Sequence, residues 1–257
     1  MNFAAQLISL KTILRKEITR IMRIWTQTLL PPLVTQTLYF LIFGKFIGSQ
    51  VASINGVGYM AFIVPGLVMM AVISSAYGNV VSSFFGAKFQ RSIEEVLVSP
   101  TPEWVIVTGY VMGGLIRGVI VGTLVFLISL FFAHPVVHNI WIILFFTVFA
   151  STVFSLAALI NGIFAHNFDE VALFQNFVLT PLIYLGGVFY SISRLPHGWQ
   201  IFSYFNPLVY MINGFRYGFF GFSDVPLGIC AFIVIALTIV LAWANLYLLK
   251  KGIGIKS

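Results

Sequence analysis

A chain of 257 residues that is 60% hydrophobic and 8% charged lies far outside the range of water-soluble domains, where roughly a quarter of residues carry charge. Its net charge of +7 does not mark a nucleic-acid-binding protein, because the basic residues flank long apolar stretches instead of gathering in one patch. The chain belongs in a bilayer and crosses it as helices: "AFIVPGLVMMAVI" and "GICAFIVIALTIVLAWA" are apolar on every side, where barrel strands would alternate apolar with polar residues.

Residues 1–24 come first. Phe3, Leu7, Leu10, Leu14, Ile18, Ile21 and Trp25 recur at helical spacing opposite Lys11, Arg15, Lys16 and Arg20. This predicts an amphipathic interface helix, its basic face toward water and anionic headgroups. The segment lacks the continuous apolar core and cleavage site of a secretory signal peptide, so the first span is expected to stay in the protein.

A bilayer core about 30 Å thick needs about 20 apolar residues per helix. Six runs meet that need, at about 26–47, 59–86, 105–132, 140–165, 171–190 and 225–249. Ten of the fourteen Lys and Arg (Lys11, Arg15, Lys16, Arg20, Arg23, Lys88, Arg91, Lys250, Lys251, Lys256) flank these runs on one side. The positive-inside rule then places both termini in the cytoplasm. "GSQVASINGVG", residues 48–58, is the external turn joining the first two spans.

Between the second and third spans lies the polar island "FQRSIEEVLVSPTPEW". Phe89, Ile93, Val96 and Leu97 fall at i, i+4, i+7 and i+8, Arg91, Glu94 and Glu95 project elsewhere, and Pro100 and Pro102 stop the run. The spacing predicts an amphipathic helix over 88–99. By itself it fits either a helix lying on the membrane or one seated in a partner's groove.

The third span carries Gly109, Gly113, Gly114, Gly118 and Gly122, a small-xxx-small pattern that lets helices approach closely. Within it Arg117 is a candidate pathway charge, facing the protein interior or an aqueous cavity; a tilted span would instead let it snorkel to the headgroups. His134 and His138 would ligate a metal only on a continuous helix, and with no acidic or Cys ligand nearby no metal site is expected. Asp169 and Glu170 open the fifth run, where they favour the helix dipole or offer a second cytoplasmic contact surface. The single Cys230 permits no internal disulfide and reads as a small hydrophobe.

From residue 180 the chain reads "TPLIYLGGVFYSISRLPHGWQIFSYFNPLVYMINGFRYGFFG". Apolar and aromatic residues continue past the fifth span, but Pro196 and Pro207 cut them into pieces too short to cross. The expectation is external or re-entrant helices over 191–222, covered by protein, that act as a gate or lid.

The ordered set Pro181, Leu182, Gly186, Gly187, Phe189, Leu195, Pro196, Asn206, Pro207, Tyr210 and Arg216 resembles the signature of the ABC transporter type-2 permease family. "YMAFIVPGLVMM", "SSFFGAKFQRSIEE" and "NGFRYGFFG" are similar to bacterial inner-membrane permease subunits of that family. The resemblance implies an all-α membrane fold of six transmembrane helices with an N-terminal interface helix, a cytoplasmic coupling helix, and external re-entrant helices before the last span. It also implies a working unit of two permeases, read here as a homodimer, and two separate ABC ATPase subunits.

On that reading Phe89, Arg91, Ile93, Glu94, Glu95 and Leu97 couple to the ATPase, while Pro181, Gly186, Gly187, Pro196, Asn206, Pro207, Tyr210 and Arg216 gate. The chain lacks a G-x-x-x-x-G-K-[ST] phosphate loop, so no cofactor is expected on it, and ATP and Mg fall to the partner. The implied function is export of an amphipathic or hydrophobic substrate such as a drug, glycolipid or polysaccharide. A channel not driven by ATP, or a membrane scaffold, is the alternative. An intramembrane enzyme would need clustered Asp, His or Ser with Lys inside the spans, whose ionised residues are Arg117 and, two residues from the end of the first run, Lys45.

Overall fold

The computed structural model describes residues 2–48, 50, 51, 53, 54 and 56–254, and the side chain of Leu97 lies outside what is described. Among these residues the fold is helical, without strands. Helix α1 (Phe3–Arg23) is followed at Ile24 by α2 (Trp25–Tyr39), which continues with wider π winding over Phe40–Ile47. Then come α3 (Tyr59–Phe89), α4 (Ser92–Val98), α5 (Glu103–Ser129) and α6 (Ile140–Phe164).

Among the described residues five helices are long and apolar enough to cross a membrane: Trp25–Ile47, α3, α5, α6 and α11 (Leu227–Lys251). The run expected at 171–190 is built differently. It consists of α7 (Phe168–Phe174), a π-wound piece Gln175–Leu179 and α8 (Thr180–Tyr184), of 7, 5 and 5 residues. Asn167 starts it early by capping α7, and the chain leaves the helix after Tyr184 because Gly187, at φ 83°, takes a backbone conformation outside the helical range. A helical run over 168–184 rises roughly 25 Å, short of the bilayer core.

The bundle is organised around α3. Of its most apolar window 83% is buried, against 17% for α2 and 11% for α11, which lie at the periphery. Helix α5 packs tightly because its glycines serve two faces. A Cβ at Gly114, Gly118 or Gly122 would collide with Val80, Ser151 or Val72 of α3 and α6, at 2.6, 2.7 and 2.5 Å. One at Gly109 or Gly113 would strike Ile13 or Glu17 of α1, at 2.5 and 2.9 Å. Helix α1 is therefore docked on α5 through Ile13 and Glu17. The stripe predicted for it is split, with Phe3, Leu7 and Ile18 left exposed.

After a turn over 185–191, residues Ile192–Arg194 form a short 3₁₀ turn, then come α9 (His197–Tyr204) and α10 (Pro207–Phe220). Pro196 precedes α9, and Pro207 opens α10, where its missing N–H costs nothing. Helix α9 lies on the surface with Trp199, Ile201 and Phe202 exposed, whereas α10 is buried for most of its length. Gly214 and Gly218 make that burial fit: a Cβ there would meet Phe146 at 2.0 Å and Ile143 at 2.6 Å on α6. Gly221, at φ 72°, ends α10.

Candidate functional site

The corner at α4 differs from the stripe expected over 88–99. Phe89 is the last residue of α3, and Arg91 turns the chain with a left-handed backbone, φ 59°, before α4 begins at Ser92. Phe89 and Ile93 therefore do not share one helical face. Ile93 is buried and Val96 half-buried against this chain's own core, so they anchor α4 to the permease. What faces outward is Arg91, Glu94, Glu95 and Val98, with Phe89 beside them. The Phe89 ring lies 5.0 Å from Phe168, and Phe85 lies 4.9 Å from the same ring, which ties this corner to the start of α7. There Glu170 accepts from Asn167 Nδ2 at 3.0 Å while Asn167 accepts from the Glu170 N–H at 2.8 Å, a reciprocal cap consistent with the dipole role. Lys88 Nζ donates to the carbonyls of Ile163 and Ala165 at 2.5 and 2.8 Å, covering acceptors that the end of α6 leaves free.

Above this corner sits a buried polar cluster that joins α1 to α3. Glu17 is fully buried; it accepts from Arg20 at 3.0 Å, from Asn79 Nδ2 at 3.3 Å and from the Ser83 hydroxyl. Arg20 also donates to the Asn79 side-chain and main-chain oxygens at 2.8 and 3.0 Å. Sequence reasoning missed Glu17, although one acid among the bases of an amphipathic helix, and "GNVVSS" inside an apolar run, were signals for it.

Between α2, α3 and α5 lies a polar groove of about 510 Å³ whose lining includes Thr28, Gln36, Ser74, Ser75, Arg117 and Gln175. Pro31 and Pro32 sit inside α2. Pro32 has no N–H, so the Thr28 carbonyl lacks its helical donor, and Arg117 Nη2 supplies one from α5 at 2.9 Å. Arg117 thus lines this groove. Farther along α2 and its π-wound extension, aromatic rings meet those of Tyr184 and Phe189. The Tyr39 and Tyr184 hydroxyls are 2.5 Å apart, Phe43 and Phe189 are 4.4 Å apart by ring centroid, and Phe189 stacks on Tyr184 at 5.9 Å.

Most of the residues predicted for the lid come together beyond this aromatic cluster. Asn206 caps α10 by accepting from the Leu208 N–H at 3.0 Å and donates to the Leu182 carbonyl at 2.7 Å, holding α10 to α8. Arg216 is buried; it donates to the Gly187 carbonyl at 2.7 Å and lies 4.1 Å from the centre of the Phe62 ring. Gly186 fits against Leu208 and Ile212, and Gly66 of α3 lets Val188 approach so closely that a Cβ would sit 2.5 Å from its carbonyl oxygen. The Tyr210 hydroxyl donates to the Tyr204 carbonyl at 2.7 Å, pinning α9 to α10. Pro181 opens α8, while Pro196 stands apart at the surface before α9. Asp224, which sequence reasoning passed over, accepts from Ser191 at 2.6 Å and from the Ile192 N–H at 2.8 Å, and so closes the lid onto the approach to α11. His134 and His138 lie in a non-helical connection, and among the described residues no three His, Cys, Asp or Glu cluster as metal ligands.

Residues 8–220 match the family profile described as ABC-2 type transporter. The chain is 54% identical over 255 residues to the inner membrane transport permease YadH of Escherichia coli (strain K12), covering 97% of this chain and 98% of that protein. It is also 28% identical over 191 residues to Nodulation protein J of Sinorhizobium fredii, covering 70% of this chain and 68% of that protein.

Proposed function

We propose, from the premise that the chain belongs to the ABC-2 type transporter family, that it is the permease subunit of an ATP-driven exporter in a bacterial inner membrane. The observation that carries this reading is the polar groove beside α2, with the Tyr39–Tyr184 pair one turn past Gln36 and short helices beyond it. That arrangement fits a polar path beside α2 that movement of the short helices would open. The chain crosses the membrane six times, the run 168–184 together with the turn over 185–191 making the fifth crossing, with α10 re-entrant and both termini cytoplasmic. Two copies pair as a homodimer and recruit two separate ATPase subunits that bind ATP and Mg.

Closure of the ATPase dimer moves α4 and α1 as a unit, because α4 is anchored through Ile93 and α1 through Glu17 and Arg20. The Glu17 cluster passes that movement to α3, the helix against which both the groove and the Gly187 turn pack. The step is an alternation of packed states biased by a ligand held on another chain. Its cargo is an amphipathic or hydrophobic molecule.

Purification in mild detergent tests the reading. An ABC ATPase retained in stoichiometric amount, with ATP turnover altered by lipids, glycans or hydrophobic drugs in proteoliposomes, supports it. A permease that purifies alone and moves solute without ATP favours the channel reading.

A further inference from the structure

We propose that the groove at Arg117 is a binding site for an anionic headgroup, a phosphate flanked by hydroxyls. The inference deepens the permease reading, on which the meaning of this site as part of a transport path rests.

A guanidinium carries five N–H donors. Arg117 gives one to the Thr28 carbonyl, and its Nε is buried with no partner. Among the described residues no carboxylate pairs with it. The ion pairs there are Glu17 with Arg20 and His166 with Glu170, and the charge that acts on Arg117 is the like charge of Arg20. Glu17 is already engaged by Arg20, Asn79 and Ser83. A cation within an apolar bundle is costly unless paired and hydrogen-bonded, and the groove that the half-buried Arg117 lines leaves space where an anion would pair it.

Two further side chains in the same groove are independently incomplete. Gln36 Oε1 and the Ser75 hydroxyl have no partner, and each residue is only 3% exposed. Gln36 offers an acceptor, Ser75 both a donor and an acceptor, and Arg117 donors. A ligand that satisfies all three carries negative charge and hydroxyls together. The volume of about 510 Å³ admits such a headgroup. The outer face of α2 presents Leu30, Val34 and Leu38, all exposed, so an acyl chain can lie in lipid while its headgroup occupies the groove.

The full-length permease, purified in neutral detergent, is titrated while its tryptophan fluorescence is followed; Trp25 stands next to groove residue Ile24. The probes are short-chain phosphatidylglycerol, phosphatidylcholine with the same chains, and inorganic phosphate. The expected result is a preference of about tenfold or more for phosphatidylglycerol over phosphatidylcholine, the effect of one charge-assisted hydrogen bond. Arg117→Gln removes that preference and Arg117→Lys retains part of it. Competition by inorganic phosphate assigns the site to the anion alone; its absence, with the lipid preference intact, assigns it to an amphiphile.

Equal affinity for the two lipids, or a preference that survives Arg117→Gln, overturns the proposal. Should Arg117→Gln fail to stay monodisperse, Gln36→Leu decides: phosphatidylglycerol affinity must fall while phosphatidylcholine affinity holds, and no change overturns the site. No ATPase is needed for these measurements. Lost lipid preference with ATPase pairing intact therefore sinks this site alone, and lost pairing with the preference intact sinks the transport reading.

Discussion

At the α9–α10 end of the bundle, polar side chains are tied to backbone: Asn206 to the Leu182 carbonyl, Arg216 to that of Gly187, and Asp224 to the Ile192 N–H. At the α1–α4 end, Glu17, Arg20, Asn79 and Ser83 hold one another largely side chain to side chain. A bond to a turn's backbone fixes the path of the chain. A side-chain cluster between two helices clamps them while leaving each helix intact when it opens. The first end is built to hold a loop in one shape, and the second to keep two rigid rods moving together.

The sharpest way to break that contrast is to open the clamp. Arg20→Ala leaves Glu17 charged and buried, and breaking a buried pair in this manner costs on the order of 3–5 kcal/mol. Glu17→Gln, which keeps hydrogen-bonding capacity toward Asn79 and Ser83, should cost less than Arg20→Ala. Thermal unfolding in detergent measures both. If Arg20→Ala is as stable as the parent, the cluster is not a clamp.

At the other end the matching change is Gly66→Ala. The new Cβ would lie 2.5 Å from the Val188 carbonyl oxygen and 2.9 Å from its Cα, and backbone cannot yield as a flexible side chain does. The expected loss is about 1–3 kcal/mol, as in overpacked cores, and protection of the 186–189 amides in hydrogen exchange should fall with it. An unchanged exchange pattern would show that the turn is held without α3.

A smaller effect of opposite sign is expected at Arg91. Helices that end on a left-handed residue usually place glycine there, and here an arginine holds φ 59°. Arg91→Gly should stabilise the chain by about 0.5–1 kcal/mol, the left-handed strain relieved less the added freedom of the unfolded chain. If the arginine is kept for contact with a partner, the same variant loses ATPase coupling as it gains stability.

The long spans and the break in helix after the fifth run were legible because both rest on local signals. Apolar runs of bilayer length gave α3, α5, α6 and α11, and the order Gly186, Gly187, Pro196, Asn206 and Pro207 marked a broken segment. What could not be read depends on which residues meet across the fold. The stripe from Phe89 to Leu97 presumes one unbroken helix, and a turn at Arg91, invisible to periodicity, separates its first member. Glu17 reads as a charge on a wet face until Gly113 opposite it lets α1 approach. Gly214 and Gly218 carry the same four-residue spacing as the glycines of α5, yet in a segment too short to span they were not read as a packing face. The carbonyl freed by Pro32 was implicit in the sequence, but its use by Arg117 needed the fold.

The smallest structural effect, and the most telling functional one, is expected at Glu94 and Glu95. Both are exposed, and among the described residues neither carboxylate has an ion-pair partner in the chain. The anchors of α4 are Ile93 and Val96, which face the other way. Glu94→Lys with Glu95→Lys should therefore change stability by less than about 0.5 kcal/mol, as surface substitutions usually do, and leave membrane insertion intact. If α4 meets an ATPase through this outward face, reversal of two charges at its centre weakens association, because like charges brought together at an interface cost several kcal/mol. Co-purification and transport-linked ATP turnover should both drop while the unfolding temperature stays where it was. Unchanged assembly and unchanged export would remove α4 from the coupling path. A drop confined to low salt would instead place these charges at the rim of the contact, where screening governs their effect.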